Sequence, residues 1–240
     1  MVKSAITDNN RIIVALDVAS ADDAYQLLDQ LDSTKCRVKV GKQLFTSAGP
    51  ELVKQLVSRG FDVFLDLKFH DIPNTVAAAV KAASDLGVWM INVHASGGRA
   101  MMEAASRALS NSAEQRPLLT GVTVLTSLAA EDLLEIGIAA SAEKQVEKLA
   151  KLSAECGLDG VVCSAAETGM LRQWVAANFC LVTPGIRRPA DGTNDQKRVV
   201  GPEQAIQNGS TYLVIGRPIT QAQSPQESLA AFYTAVSGVL

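Results

Sequence analysis

The chain has 240 residues, of which 48% are hydrophobic and 20% are charged, with a formal net charge of −3. This length is close to that of one eight-fold α/β barrel, and the composition is ordinary for a globular enzyme. The charge balance gives no indication of a nucleic-acid binder, which would normally show a basic face, and the sequence lacks the run of about 18 apolar residues that a membrane span needs.

Short apolar runs alternate with longer amphipathic stretches along the chain. Several runs are rich in Val, Ile and Leu without polar alternation, which is typical of strands covered on both faces. The predicted strands are residues 12–16, 37–40, 62–67, 90–93, 119–125, 160–163, 180–183 and 212–215. The predicted helices, the first of them N-capped by Ser20, are residues 21–31, 50–58, 74–86, 142–155 and 225–236.

The alternation of strands and helices predicts parallel strands. Eight units in 240 residues favour one domain over residues 1–240, of the α/β class, with a (β/α)8 TIM-barrel fold. An open doubly wound sheet is the alternative, although no G-x-G-x-x-G motif follows the first strand. The polar loop of residues 184–199 is long enough to indicate a functional segment or disorder.

Polar residues lie at the predicted carboxyl ends of the strands, where the active site of a TIM barrel is found. They are Asp17, Lys39, Asp66, Lys68, Asp71, His94, Thr126, Ser127, Arg187, Gly216 and Arg217. His94 either lines the pocket or packs at the strand end, and the two histidines of the chain do not make a metal-binding pattern.

Asp66 and Lys68 are two residues apart on a predicted strand, so we expect both side chains on the same face. Lys39, on the neighbouring strand, is expected beside them. Buried charges are costly unless they are paired. The cluster is therefore either a structural ion-pair network or a catalytic centre, and its place at the catalytic end, extended by Asp71, favours the second.

A lysine between two carboxylates stays protonated, because opposite charges favour its charged form. Such a lysine is a poor base and a good proton donor, and it stabilises negative charge that develops beside it. This chemistry suits an enzyme that forms a carbanion and then protonates it. No metal is required, since the lysines supply the positive charge.

The end of the eighth strand predicts a phosphate site. Gly216 allows close approach of the backbone to an anion, and Arg217 can pair with it. TIM barrels often bind phosphate between the loops after strands 7 and 8. The segment is otherwise a simple turn, but residues 183–187 and Asp195-Gln196 in the preceding loop favour phosphate.

These motifs together resemble the orotidine 5'-monophosphate decarboxylase family. The matching segments are residues 15–17, 39–41, 66–75, 93–94, 183–187 and 215–218. The block of residues 66–75, DLKFHDIPNT, is the most specific of them. The resemblance implies a TIM-barrel enzyme that converts orotidine 5'-monophosphate to uridine 5'-monophosphate with no metal or other cofactor.

The resemblance implies a role for each charged residue of the cluster. Lys68 would protonate C6 of the pyrimidine after carbon dioxide leaves, and Asp66 would lie against the substrate carboxylate. Repulsion between the two carboxylates or stabilisation of the carbanion by Lys68 would drive the reaction, and the second is favoured. Asp17 and Lys39 would bind ribose hydroxyls, with Lys39 also linked to Asp66.

The resemblance also implies a homodimer in which Asp71 and Thr75 reach the partner's substrate. The loop of residues 184–199 would close over the phosphate. Which of Arg187 and Arg188 faces the phosphate is open, and Arg187 is favoured. The full set of substrate contacts that it implies is Asp17, Lys39, Asp71, Ile72, Thr75, Thr126, Ser127, Pro184, Arg187, Gln196, Gly216 and Arg217.

There are two alternatives, a related barrel enzyme and a protein of another functional class. Related barrels such as 3-keto-gulonate-6-phosphate decarboxylase and hexulose-phosphate synthase share the D-x-K-x-x-D motif, but they use Mg²⁺ and an acid on strand 2. Here strand 2 carries Lys39, which argues for the metal-free reaction. A barrel that binds a nucleotide without catalysis would need no alternating cluster of lysines and aspartates.

The cysteines and the N-terminus indicate the compartment. Cys36, Cys156, Cys163 and Cys180 have neither C-x-x-C spacing nor histidine neighbours at metal-ligand spacing. We therefore expect buried thiols in a reducing compartment. Residues 1–11 are polar and contain no apolar signal-peptide core, so a cytoplasmic location is expected.

Overall fold

A computed structural model describes residues 10–110, 116–188, 191 and 200–239. Eight parallel strands form a closed barrel in which each strand pairs with its neighbours in chain order and β8 pairs with β1. The strands are β1 Ile12–Ala15, β2 Arg37–Gly41, β3 Val63–Phe69, β4 Met90–His94, β5 Leu118–Val122, β6 Gly160–Val162, β7 Cys180–Thr183 and β8 Tyr212–Ile215. The predicted TIM barrel is confirmed, and the open doubly wound sheet is excluded.

Helices cover the outer face of the barrel. In the described part of the chain they are α1 Ala21–Leu28, α2 Lys42–Ser58, α3 Pro73–Ser84, α4 Gly98–Ser110, α5 Ala130–Glu135, α6 Ala142–Glu155, α7 Thr168–Leu171, α8 Pro202–Gln207, α9 Arg217–Thr220 and α10 Pro225–Ser237. The predicted cap is present, since the Ser20 hydroxyl accepts a hydrogen bond from the Asp23 amide at 3.1 Å.

Several predicted boundaries were wrong. The fifth strand ends at Val122 rather than at residue 125, and the next residues leave the sheet to border the barrel mouth. Helix α2 consists of two helical segments separated by Gly49, whose φ of 71° and ψ of −172° are not helical; the second segment begins at the predicted residue 50, and the first, residues 42–48, was not predicted. Helix α4 was not predicted, although Met101 and Met102 face the core.

The apolar core described here has three parts. A large cluster and a smaller one around Val161 and Leu181 lie between strands and helices, while a third, which includes Phe64, Met90 and Tyr212, fills the barrel interior. At the amino end of the barrel, the guanidinium of Arg37 lies 4.3 Å from the Trp89 ring and 3.2 Å from Asp62 Oδ2. The paired Arg37 therefore closes the amino end of the barrel, and the carboxyl end remains available for a binding site.

All four cysteines are buried, and none forms a disulfide. Burial raises the pKa of Cys36 and of Cys180, each to about 12, so these thiols stay protonated at neutral pH. The burial agrees with the prediction of buried thiols. None of the helices that the structure describes is both long and apolar enough to cross a membrane.

Candidate active site

Charged side chains from three adjacent strands meet at the carboxyl end of the barrel. Lys39 Nζ lies 3.0 Å from Asp17 Oδ1 and 3.4 Å from Asp66 Oδ2. Lys68 Nζ lies 2.6 Å from Asp66 Oδ1. The structure thus brings together the four residues that sequence reasoning placed at the ends of strands 1 to 3.

Asp66 is the most constrained member of this cluster, with 9% of its surface exposed. Burial by itself raises the pKa of the Asp66 carboxyl. The positive charges of Lys39 and Lys68, together with hydrogen bonds to the carboxylate, outweigh that effect and hold the pKa below its ordinary value. Asp66 is therefore an anion at neutral pH, and its charge is balanced by two lysines.

The backbone at Lys68 is not that of a regular strand. Its φ is 52°, the one positive value at a non-glycine residue in the described part of the chain. The pairing of β3 with β4 shifts here, from Leu65 opposite Ile91 to Phe69 opposite Val93. The prediction that both side chains share a face by simple alternation therefore gave the correct grouping for an incomplete reason.

Asn92 is part of the cluster and was missed by the sequence reasoning. Its side chain has no exposed surface, its Nδ2 donates to Asp66 Oδ1 at 2.7 Å, and its Oδ1 accepts from the Lys68 amide at 2.8 Å. The available signal was a single amide in the apolar strand MINVH, next to the strand that carries the acid and the lysine.

A cavity of about 200 Å³ opens above the cluster. One side carries Lys39, Asp66 and Lys68, while the remaining walls are mostly apolar. Those walls are formed by Phe64, Val122, Val124, Leu125, Thr126, Val162, Cys163, Pro184 and Val214. Of the predicted pyrimidine contacts, Thr126 lines this cavity, whereas Ser127 is exposed beside it. The cavity can take a largely apolar group that presents an anionic substituent to the lysines.

A second cavity of about 190 Å³ shares the charged cluster and extends toward β1. It is lined by Asp17 and Gly41 as well as by the two lysines. A Cβ atom at residue 41 would lie 3.2 Å from Lys39 Nζ, so a larger residue there would crowd the ammonium. Gly216, at the end of β8, has its Cα close to Asp17, since a Cβ there would lie 3.7 Å from Asp17 Oδ2.

Arg187 and Arg217 bring two positive charges together after strands β7 and β8. Arg187 is 5% exposed, and its Nε has no hydrogen-bond partner among the described residues. Burial lowers the pKa of Arg187, and the charge of Arg217 lowers it further. A buried guanidinium beside another cation is an arrangement that a bound anion would stabilise.

Arg188 points elsewhere. Its guanidinium bonds both oxygens of Asp191, donates to Ser228 Oγ at 3.1 Å and lies 4.3 Å from the Phe232 ring. Arg188 is therefore already paired, in contrast to Arg187. The predicted contact Gln196 and most of the predicted loop of residues 184–199 lie outside the described residues.

Asp71, Ile72 and Thr75, at the start of α3, are all exposed. Ile72 is 67% exposed, which is unusual for a large apolar side chain, and Asp71 accepts a hydrogen bond from the Ile72 amide. In the described part of the chain, Lys68 pairs with Asp66 and not with Asp71. A lysine between two carboxylates is thus not formed by these residues within one chain.

His94 is half-buried at the end of β4, with its ring centroid 5.3 Å from that of the exposed His70. Burial lowers the pKa of His94, and the neighbouring His70, Lys42 and Lys68 lower it further. His94 is therefore neutral at physiological pH and lies beside the cluster rather than lining the cavity described above.

Comparison with known proteins gives consistent results. The model of the family described as "Orotidine 5'-phosphate decarboxylase / HUMPS family" matches residues 10–232. The chain is 58% identical over 226 residues to orotidine 5'-phosphate decarboxylase of Chromobacterium violaceum, covering 94% of this chain and 91% of that one. It is 58% identical over 219 residues to the enzyme of the same name from Psychromonas ingrahamii, covering 91% and 94%. The crystal structure of orotidine 5'-phosphate decarboxylase from Lactobacillus acidophilus superposes with a TM-score of 0.85 at 37% identity, over 95% of this chain and 99% of that one.

Proposed function

The chain belongs to the orotidine 5'-phosphate decarboxylase / HUMPS family, and from this premise we propose that it decarboxylates orotidine 5'-monophosphate to uridine 5'-monophosphate in pyrimidine biosynthesis. The observation that carries the proposal is the Lys39–Asp66–Lys68 cluster beneath a largely apolar cavity. The two relatives at 58% identity bear the decarboxylase name.

The family description covers more than one activity, so the choice within it rests on the donor set. Lys39 Nζ occupies the space between the carboxylates of Asp17 and Asp66. A divalent cation would need those same oxygen atoms as ligands. A lysine in that space supports the metal-free decarboxylase over a Mg²⁺-dependent enzyme that acts on sugar phosphates.

The substrate can be placed by matching charges. Its phosphate would lie between Arg187 and Arg217, near the Gly216 amide, and Gln196 is expected to join them. Asp17 and Lys39 would bind the ribose hydroxyls in the second cavity. The pyrimidine would enter the apolar cavity, with Thr126, Ser127 and Pro184 at its edge, and point its C6 carboxylate toward Asp66 and Lys68.

In the reaction, the bond between C6 and the carboxylate breaks, and carbon dioxide leaves. The electron pair stays on C6, where the ammonium of Lys68 stabilises it and then transfers a proton to it. The neutral lysine regains a proton from solvent. Asp66 keeps Lys68 in position through the 2.6 Å contact. Lys39 helps to neutralise the Asp66 carboxylate from the other side.

A homodimer would complete the site. Asp71, Ile72 and Thr75 form an exposed group on the single chain. Within it, the large apolar side chain of Ile72 is 67% exposed. We infer that these residues cover the partner's site, where Asp71 would become the second carboxylate near Lys68. We also infer a cytoplasmic location, because four buried free thiols suit a reducing compartment.

The direct test is the absorbance change on adding orotidine 5'-monophosphate to the purified protein after dialysis against EDTA. Stoichiometric formation of uridine 5'-monophosphate and carbon dioxide in chelator is expected. As a matched comparison, turnover of 3-keto-gulonate 6-phosphate is measured with and without Mg²⁺. Turnover of the sugar phosphate alone, restored by Mg²⁺, would transfer the assignment to the other activity.

A further inference from the structure

Asn92 stands alone opposite an extended stretch of the neighbouring strand. Between the two places where β3 and β4 pair regularly, β3 contains three residues, 66 to 68, and β4 contains only Asn92. The backbone of β4 therefore cannot supply a partner to each polar group of this stretch. The Asn92 side chain replaces one of them, because its Oδ1 accepts the hydrogen bond of the Lys68 amide.

The same side chain holds the acid of the cluster. Nδ2 of Asn92 donates to Asp66 Oδ1 at 2.7 Å, the oxygen atom that also receives Lys68 Nζ at 2.6 Å. One amide group thus binds the backbone of the lysine and the carboxylate that orients its ammonium. No other residue described in the structure makes hydrogen bonds to both.

The backbone of Lys68 needs such support. A φ of 52° lies in the left-handed region, which residues with a Cβ atom rarely adopt unless the surroundings hold them there. An amide fully removed from solvent is a rigid anchor for this conformation. Without it, the bulge can relax toward regular pairing, which rotates Lys68 away from the cavity.

We propose that Asn92 is a positioning residue for the reaction: it fixes the left-handed backbone of Lys68 and the Asp66 carboxylate in one geometry, and so sets where the proton is delivered. This inference rests on the proposed decarboxylation. Because Asn92 does not line either cavity above the cluster, its effect falls on the chemical step and not on capture of ribose or phosphate.

The first test compares Asn92→Ala with Thr120→Val. Thr120 is aligned with Asn92 on the adjacent strand and is equally buried. Its hydroxyl donates a hydrogen bond to the Ile91 carbonyl, away from the cluster. Misplacement of a reacting group by an ångström costs about 10²-fold in rate. We expect kcat to fall about 10²-fold in Asn92→Ala, while affinity for uridine 5'-monophosphate changes by less than about three-fold. Thr120→Val is expected to keep its kcat.

The second test uses Asn92→Asp, which has the same shape. It keeps an acceptor for the Lys68 amide but places a second carboxylate against Asp66. Two carboxylates in contact tend to share one proton. When that proton is bound, it restores the hydrogen bond to Asp66 that the amide of Asn92 donates in the native protein. The ratio of variant to native kcat should therefore rise by about ten-fold or more from pH 8 to pH 5.5.

Native turnover of orotidine 5'-monophosphate tests the proposed function, and only the ratio of variant to native protein tests the role of Asn92. A kcat of Asn92→Ala within about three-fold of native would overturn the inference. So would a ratio for Asn92→Asp that does not change with pH, and this second measurement decides the matter if Asn92→Ala does not fold. Equal losses in Asn92→Ala and Thr120→Val would reduce Asn92 to a packing role.

Discussion

Lys68 and Asp66 form the shortest ion pair of the cluster, with 2.6 Å between Nζ and Oδ1. In the proposed reaction this contact has two effects: it holds the lysine side chain in place, and it aims the ammonium at the carbon that loses its carboxylate.

Replacing Lys68 with alanine should abolish turnover while the fold persists, because Asp66 keeps its contacts with Lys39 and Asn92. Loss of a general acid costs about 10²–10⁴-fold in rate, and the loss of its positive charge adds to this. Lys54→Ala, on an exposed face of α2, is the matched control and should be fully active. Ordinary turnover by a folded Lys68→Ala protein would remove Lys68 from the mechanism.

Arginines 187 and 188 are adjacent in sequence and should behave in opposite ways. Arg187→Ala, like Arg217→Ala, removes a charge-assisted contact of about 1.5–3 kcal/mol, so affinity for uridine 5'-monophosphate should fall by about ten-fold to a hundred-fold. Arg188→Ala breaks the contacts with Asp191 and Ser228, so it should lower the melting temperature instead. Titration calorimetry and thermal unfolding measure the two effects.

Guanidinium added in solution should partly rescue Arg217→Ala if the lost group binds phosphate. Nucleoside uridine provides the control, since it lacks the phosphate and should bind native and variant proteins equally. Unchanged affinity of Arg187→Ala and Arg217→Ala for uridine 5'-monophosphate would show that the phosphate lies elsewhere.

The shared site predicts complementation between two inactive proteins. Lys68→Ala and Asp71→Ala homodimers should each be nearly inactive. After unfolding, equal mixing and refolding, about half of the dimers are mixed, and each mixed dimer has one intact site, so about a quarter of all sites recover.

The control for that experiment mixes Lys68→Ala with Asp66→Ala. Both residues belong to the same chain's half of the site, so every site in this mixture is damaged and no activity should return. If the Asp71 mixture also stays inactive although mixed dimers are detected, Asp71 acts within its own chain.

His94 predicts a dependence of stability on pH. Burial and the nearby positive charges lower its pKa in the folded protein below the ordinary value of 6.5. The unfolded state then takes up a proton first as the pH falls, so the stability that His94 contributes above about pH 6.5 is lost at lower pH. The melting temperature should drop from pH 7.5 to pH 5.5, and His94→Gln should reduce that drop. An equal drop in both proteins would assign it to other groups.

The strands were predictable because parallel strands in a barrel are buried on both faces and read as continuous apolar runs. Charged residues at the ends of such runs, as at Asp17 and Lys39, then indicate the site. Helix α4 is rich in small and polar residues, and its only large apolar residues are Met101, Met102 and Leu109. These three residues and Ala105 form its buried face, so the helical spacing could have been recognised from the sequence.

Other parts of the site depend on pairing that a sequence does not show. The role of Asn92 follows from the register shift between β3 and β4, and a shift by even one residue changes which side chains face each other. Arg187 and Arg188 are adjacent residues of the same type, so the sequence does not distinguish their roles. The contact of Arg188 with Asp191 in the structure does. The exposure of Ile72 likewise appears only once the helices are packed.

The irregular pairing of β3 implies a conflict between robustness and activity. A left-handed residue with a Cβ atom costs about 1–2 kcal/mol, and a strand that pairs without interruption would avoid that cost. Shortening β3 by two residues to match β4 should thus give a more heat-resistant barrel, but it would remove Asp66 or Lys68 from the cluster. Selection for thermal stability alone would erase the feature that places the proton donor, so variants stabilised at this strand should be screened for turnover before they are kept.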